Sequence, residues 1–137
     1  MSRDVAAATA REQGAAAIAE TMLPKVLGAS TLGGSSATVE RVRAMMAATP
    51  VAGIVGALGA MRDRPDSTPL LPQLAGLPTL VIVGDEDELT PPGQARAMAE
   101  IIPGASLVVI RSAGHLPPVE RPAETTDALL AFLAGLP

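Results

Sequence analysis

Two short runs of aliphatic residues, separated by one helical segment, constrain the fold of this chain more than any other feature. The first run is PTLVIVG (residues 78–84) and the second is ASLVVI (residues 105–110). Between them lies PPGQARAMAEIIPG (residues 91–104), which predicts a helix closed by its Pro-Gly pair. Strands that are apolar on both faces and are joined through a helix pair in parallel, with a right-handed crossover. These runs therefore predict a parallel two-stranded sheet.

Helical patterns fill the last segment and the first half of the chain. PAETTDALLAFLAGL (residues 122–136) predicts an amphipathic helix that begins at a proline, so residues 66–137 form a predicted βαβα region of the α/β class. Residues 1–65 predict helices only. The first of these helices has Ser2 as its candidate N-cap and Gly14 as its weak point.

Small and polar residues interrupt the helical half at GASTLGGSSA (residues 28–37), where we expect a loop. Ser35 or Ser36 is the candidate cap of the helix that follows. A further helix is expected after Pro50, because Thr-Pro is the favoured order at a helix start. We expect the helical half and the βαβα half to form one compact unit.

Composition excludes several classes of function. The chain has no cysteine, which excludes disulfides, a thiol nucleophile and cysteine-based metal sites, and its single histidine argues against a usual zinc site. A net charge of −4, with no Trp or Tyr, leaves neither a basic surface nor stacking aromatics for nucleic acid. We find no secretory signal and no membrane-spanning segment. A cytoplasmic protein without cofactor or metal is expected.

The residues that follow the two apolar runs carry the candidate chemistry. Four acids, at positions 85–88, follow the first run, and the only histidine, His115, follows the second. The carboxyl ends of parallel strands meet at one edge of a sheet, where α/β proteins place their sites. A histidine acts as a general base when an acceptor fixes its tautomer and orientation. An acid and His115 are therefore expected to form part of a hydrolytic site.

LPTLVIVGDEDELTPP and SAGHLPPVERPAETTDALLAFL together resemble the C-terminal half of an α/β-hydrolase of the esterase, lactonase and haloperoxidase-like group. In that family the catalytic acid stands in Gly-x-x-Asp after a strand, a pattern that falls on Gly84 and Asp87. The catalytic histidine stands in Gly-His, which falls on His115, with Glu120 in the Glu-x-Pro that follows. The resemblance implies a truncated α/β-hydrolase fold in which residues 1–65 correspond to the helical cap.

The four acids of the first loop are expected to have different roles. Asp87 is the expected partner of His115, Asp85 is expected to cap the turn, and Glu86 and Glu88 are expected to point to water. Two structural alternatives remain open, in which Asp87 only caps a turn or a helix and His115 is an ordinary surface histidine.

The family's nucleophile motif, Gly-x-Ser-x-Gly, does not occur in this sequence. GASTL and GGSSA are the nearest strings, and neither follows a strand. Ser35 and Ser36 are the candidate nucleophiles, within the chain or from a second copy. Direct activation of water by His115 is the alternative.

Three functions fit these motifs. The preferred one is a hydrolase of small apolar carboxylic esters or lactones that acts through an Asp87–His115 dyad, because both loops are undamaged. The alternatives are a non-catalytic binding or assembly protein, and half of a split or truncated hydrolase. A homodimer is also expected, because a two-stranded sheet is not stable alone and a second copy could pair with its open edge.

Overall fold

The computed structural model of the protein describes residues 2–136, in which a group of helices precedes a βαβα unit. The helices of the first half are α1 (Arg3–Val26), α2 (Ala29–Gly34), α3 (Ser36–Ala47) and α4 (Val51–Asp63). The second half contains a 3₁₀ helix (Thr68–Leu74), β1 (Leu80–Gly84), α5 (Pro92–Ile101), β2 (Ser106–Ile110), α6 (Pro117–Glu120) and α7 (Pro122–Ala134). The predicted order of strands and helices in the second half is confirmed.

The two strands form the parallel pair that the sequence predicts. Leu80 lies opposite Ser106 and Gly84 lies opposite Ile110, so both strands end at the same edge of the sheet. Helix α5 packs against both strands, and α7 packs against β2. Within residues 2–136 the other edge of β1 has no neighbouring strand. The homodimer that would pair this edge stays a prediction.

Helix α1 organises the first half, where it packs against α3 and α4. Ser2 caps it as predicted, since its side chain accepts the N–H of Val5 at 3.3 Å. Gly14 has φ 81° and ψ 178°, which kinks the helix at the expected weak point. Among residues 2–136 no single helix is long and apolar enough to cross a membrane, and α3 with α4 reaches that length and composition only as a pair bent by 91°.

Two apolar clusters hold the helices, and one of them joins the two halves of the chain. The first cluster contains Ala6, Ala10 and Ile18 of α1 with residues of α4. The second contains Leu23, Val26, Leu27 and Val42, packed against Leu116 and Val119. Because Leu116 and Val119 follow the histidine in sequence, the end of α1 packs directly behind the histidine loop.

The loop predicted over residues 28–37 is wrong, because most of it is helix α2. The carbonyl of Gly28 accepts the N–H groups of Thr31 and Leu32, which closes the first turn. The N–H of Ser30 is accepted by Glu86, which lies far away in sequence. Glycines at positions 33 and 34 disfavour a helix in isolation, and this long-range contact to the first turn compensates.

Candidate active site

The candidate dyad lies at the edge where β1 and β2 end. Oδ2 of Asp87 is 2.9 Å from Nδ1 of His115. The side chain of Asp87 is only 4% exposed, whereas that of His115 is 39% exposed. The structure therefore brings together the acid and the histidine that the sequence singles out, with the carboxylate buried and the imidazole open to solvent.

The hydrogen bonds of the dyad assign its tautomer. An ionised carboxylate can only accept hydrogen bonds, so the proton between Asp87 and His115 resides on Nδ1. The lone pair of the neutral ring is then on Nε2, which faces away from Asp87. The position of the acid thus leaves His115 in the form that can accept a proton from a nucleophile.

Thr90 is a third member of this cluster that the sequence reasoning missed. Its hydroxyl donates to Oδ2 of Asp87 at 2.7 Å and lies 3.1 Å from Nδ1 of His115. The signal in the sequence was the spacing Asp-x-x-Thr, which is typical of a side chain that closes a turn. Thr90 restrains both members of the dyad.

Asp87 also caps the turn that follows β1, a role that the sequence assigned to Asp85. Oδ1 of Asp87 accepts the N–H groups of Leu89 at 2.8 Å and Thr90 at 2.9 Å. Asp87 therefore has both roles: it caps this turn, as the structural alternative proposed, and it contacts His115. Burial raises the pKa of Asp87, but the hydrogen bonds from Thr90, His115 and Leu89 outweigh it, so this pKa lies below its usual value.

Glu86 does not point to water as predicted, because it caps helix α2. Its Oε2 accepts the N–H of Ser30 at 2.8 Å, and its Oε1 accepts the Ser30 hydroxyl. These hydrogen bonds lower the pKa of Glu86. The acid loop is thereby attached to the helical half of the chain.

Glu120 attaches the loop that contains His115 to the helical half of the chain. This buried carboxylate accepts N–H groups from Gly28 at 2.8 Å, Gly114 at 2.8 Å and Leu116 at 3.1 Å. In addition, the N–H of His115 donates to the carbonyl of Val26 at 2.9 Å. The sequence identified Glu120 only as part of a family motif and did not predict that it would hold the backbone on both sides of His115.

Known proteins are similar to this chain in sequence and in fold. The sequence model of the family described as alpha/beta hydrolase fold matches residues 9–122 of the chain. The chain belongs to this family. A solved esterase from Thermogutta terrifontis aligns with 96% of the chain at a TM-score of 0.91 and 42% identity. An enol-lactonase from Burkholderia xenovorans LB400 aligns with 94% of the chain at a TM-score of 0.85 and 29% identity. Lipase 3 of Moraxella sp. (strain TA144) is 38% identical over 60 residues, or 44% of the chain.

This α/β-hydrolase chain is much shorter than the proteins it matches. It covers 48% of each of the two solved chains and 19% of the lipase. The predicted resemblance to a truncated α/β-hydrolase is therefore confirmed, and the chain corresponds to about half of the fold in the solved proteins.

The two candidate serines of the α/β-hydrolase chain lie at the start of α3. The hydroxyl of Ser35 donates to Oγ1 of Thr38 at 2.9 Å, and Ser36 is exposed in the first turn. Within residues 2–136 the side chain of His115 is hydrogen-bonded to Asp87 and Thr90. The structure thus brings neither serine to the dyad within one chain, and their role as nucleophiles stays a prediction.

A cleft of about 440 Å³ separates the helical half from the acid loop. Pro24, Leu27 and Leu32 line one side, and Asp87 and its neighbours line the other. His115 does not line this cleft, so the space lies behind the carboxylate and not at Nε2. The cleft therefore borders the acid of the dyad and not its histidine.

Low pH should weaken the contacts that hold the loop of residues 85–88. The pKa values of Glu86 and Asp87 are lowered in the folded chain, so their stabilisation is complete above the ordinary carboxyl pKa of about 4 and is lost as pH falls through the folded values. Urea midpoints measured between pH 7 and pH 3 should therefore fall steeply below about pH 4. Glu86→Gln should flatten this dependence, while Glu88→Gln, at an exposed position, should leave it unchanged; equal pH profiles for Glu86→Gln and the natural chain would contradict the assignment.

Proposed function

We propose that the chain supplies the acid and the general base of a carboxylic ester or lactone hydrolase. Asp87 holds His115 with its proton on Nδ1, so Nε2 is the atom that removes a proton from the nucleophile. The observation that carries the proposal is the 2.9 Å contact between a buried carboxylate and a half-exposed imidazole at the sheet edge.

The substrate class is a small ester or lactone. An esterase, an enol-lactonase and a lipase are among the proteins similar to this chain, which supports hydrolysis of that class of bond. The aliphatic composition of the helical half, with one Phe and no Trp or Tyr, favours a small apolar acyl group.

Each step of the proposed reaction moves a proton to or from Nε2 of His115. As the nucleophile's O–H attacks the carbonyl carbon, its proton passes to Nε2 of His115. The imidazolium formed is stabilised by Asp87, which accepts from Nδ1 throughout. His115 then returns the proton to the leaving alcohol oxygen as the C–O bond breaks. The nucleophile is water or a serine hydroxyl, and Ser35 and Ser36 of a second copy remain candidates. If a serine attacks, the product of these steps is an acyl-serine. A water then gives its proton to Nε2 as it attacks the acyl carbon, and His115 returns that proton to the serine oxygen as the acid leaves.

Ester hydrolysis that depends on His115 tests this proposal. With p-nitrophenyl butyrate, His115→Ala should reduce the rate by about 10²–10⁴-fold, the range for loss of a general base. Arg96→Ala, an exposed change in α5, should leave the rate unaltered. A fluorophosphonate should label a serine if a serine attacks, and should leave the chain unlabelled during turnover if water attacks. Equal rates in the natural chain and His115→Ala would rule the dyad out.

A further inference from the structure

The hydroxyl of Thr90 is within hydrogen-bonding distance of both members of the dyad. Its Oγ1 lies 2.7 Å from Oδ2 of Asp87 and 3.1 Å from Nδ1 of His115, and those two atoms are 2.9 Å apart. Three polar atoms therefore form a triangle in which every side has the length of a hydrogen bond. With Asp87 ionised, the hydroxyl and the ring are the two groups that can place a proton inside this triangle.

One arrangement of these two protons leaves no lone pairs facing each other. A carboxylate only accepts hydrogen bonds, so Oδ2 of Asp87 contributes no proton. If the ring proton of His115 were on Nε2, the lone pairs of Nδ1 and Oδ2 would face each other at 2.9 Å. When the Thr90 hydroxyl donates to Oδ2 and the ring proton is on Nδ1, the Thr90 oxygen is a second acceptor for Nδ1–H. The hydroxyl therefore favours the tautomer that leaves the lone pair on Nε2.

Thr90 binds the carboxylate of Asp87 through two different groups. Its backbone N–H donates to Oδ1 at 2.9 Å, and its hydroxyl donates to Oδ2 at 2.7 Å. The N–H of Leu89 on Oδ1 and the ring of His115 on Oδ2 fill the remaining acceptor positions. Every residue except proline has the backbone N–H, whereas the contact with Oδ2 and Nδ1 needs a side-chain hydroxyl. Substitution at position 90 can therefore remove the second contact and keep the turn.

Packing does not account for a threonine at this position. Thr90 is exposed, so its side chain contributes little to the buried core. The turn after β1 is closed by the two backbone N–H groups on Oδ1, which do not involve the hydroxyl. The contacts of the hydroxyl are with the two side chains of the dyad, so its effect is expected on the dyad.

We propose that Thr90 is a positioning residue of the dyad, whose hydroxyl holds the proton of His115 on Nδ1 and thereby keeps Nε2 as the base. It acts through Asp87 and His115 and not on the substrate. When Nε2 takes up a proton, the hydroxyl still donates to Oδ2 and its oxygen still accepts from Nδ1, so no proton leaves the triangle. The effect of Thr90 on hydrolysis rests on the proposed function, whereas its effect on the ring does not.

Nitrogen NMR of the imidazole tests the effect on the ring. His115 is the only histidine of the chain, so every imidazole signal of the ¹⁵N-labelled protein belongs to it. At a pH at which the ring is neutral, the natural chain should show an N–H signal for Nδ1 and a lone-pair signal for Nε2. Thr90→Val keeps the branched shape and the backbone N–H, and both signals should move toward the average of the two tautomers. Thr90→Ser keeps the hydroxyl and should restore them.

Hydrolysis of p-nitrophenyl butyrate tests the effect on the rate. Thr90→Val should lower kcat about tenfold, or about 1.4 kcal/mol, because it loses one hydrogen bond to a charged group that water replaces in part. KM should not change, since the hydroxyl does not touch the substrate. Thr79→Val is the matched control, because the Thr79 hydroxyl donates to the carbonyl of Leu77 at the other end of β1. It should change neither the rate nor the NMR signals.

Two results would overturn the proposal: imidazole signals of Thr90→Val that match the natural chain, or equal shifts in Thr90→Ser and Thr90→Val. Thr90→Ala is a second variant without the hydroxyl and should behave as Thr90→Val does, and urea midpoints show whether each variant is folded. The expected NMR shifts in a chain that does not hydrolyse esters would remove the proposed function. The role of Thr90 in holding the ring would then remain.

Discussion

Replacement of Glu120 by alanine is expected to cost at least about 3 kcal/mol of unfolding free energy. Its carboxylate accepts the N–H groups of Gly28, Gly114 and Leu116, and only 5% of the residue is exposed. A buried N–H left without a partner costs about 1–3 kcal/mol, and alanine leaves three of them. Since domains are stable by only about 5–15 kcal/mol, this one change removes a large share of the total.

Urea denaturation measures the loss, and Glu124→Ala is the matched control. Glu124 lies four residues further on, in the first turn of α7, and is exposed. Its replacement should change stability by less than about 1 kcal/mol. The stability of Glu120→Gln should lie between those of Glu120→Ala and Glu124→Ala. Its amide oxygen can still accept a hydrogen bond, whereas its NH₂ group would face a backbone N–H donor. Equal stability of Glu120→Ala and Glu124→Ala would show that Glu120 does not hold the loops.

A second large loss of stability, about 3 kcal/mol, is expected for Gly114→Ala. A Cβ at position 114 would overlap the backbone of Leu27 and Gly28, and one at Gly84 would overlap the carbonyls of Ala113 and Gly114. Backbone cannot rotate away as a side chain can, so the histidine loop must separate from α1. Overpacking typically costs about 1–3 kcal/mol, and here the hydrogen bonds to Glu120 and Val26 would be strained as well.

Gly56→Ala provides the control for this prediction. Gly56 lies inside α4, and a Cβ there would meet no atom within 4 Å. Alanine should therefore raise the thermal midpoint, by the equivalent of about 1 kcal/mol, because it favours a helix over glycine. The thermal midpoint of Gly114→Ala should fall. If Gly114→Ala raised the thermal midpoint as Gly56→Ala does, the close backbone approach at position 114 would be refuted.

The strands and the meeting of the two loops followed from the sequence because they depend on local pattern. Continuous aliphatic runs such as LVIVG and SLVVI are typical of strands covered on both faces, and the helix between them makes the pair parallel. A parallel pair then places the loops after both strands at one edge. The family resemblance selected Asp87 among the four acids, and the structure has Asp87 in contact with His115.

Only the tertiary structure decided what holds those loops in place. Glu86 caps a helix 56 residues away in the chain, and Glu120 binds the N–H of Gly28 across 92 residues. Residues 28–37 have the local composition of a loop, and the contact of Glu86 with Ser30 stabilises the helix α2 that forms there. The local sequence also did not predict that the hydroxyl of Ser35 donates a hydrogen bond to Thr38 and lies away from His115. A backbone N–H is the same in every residue, so no local pattern records which distant carboxylate accepts it.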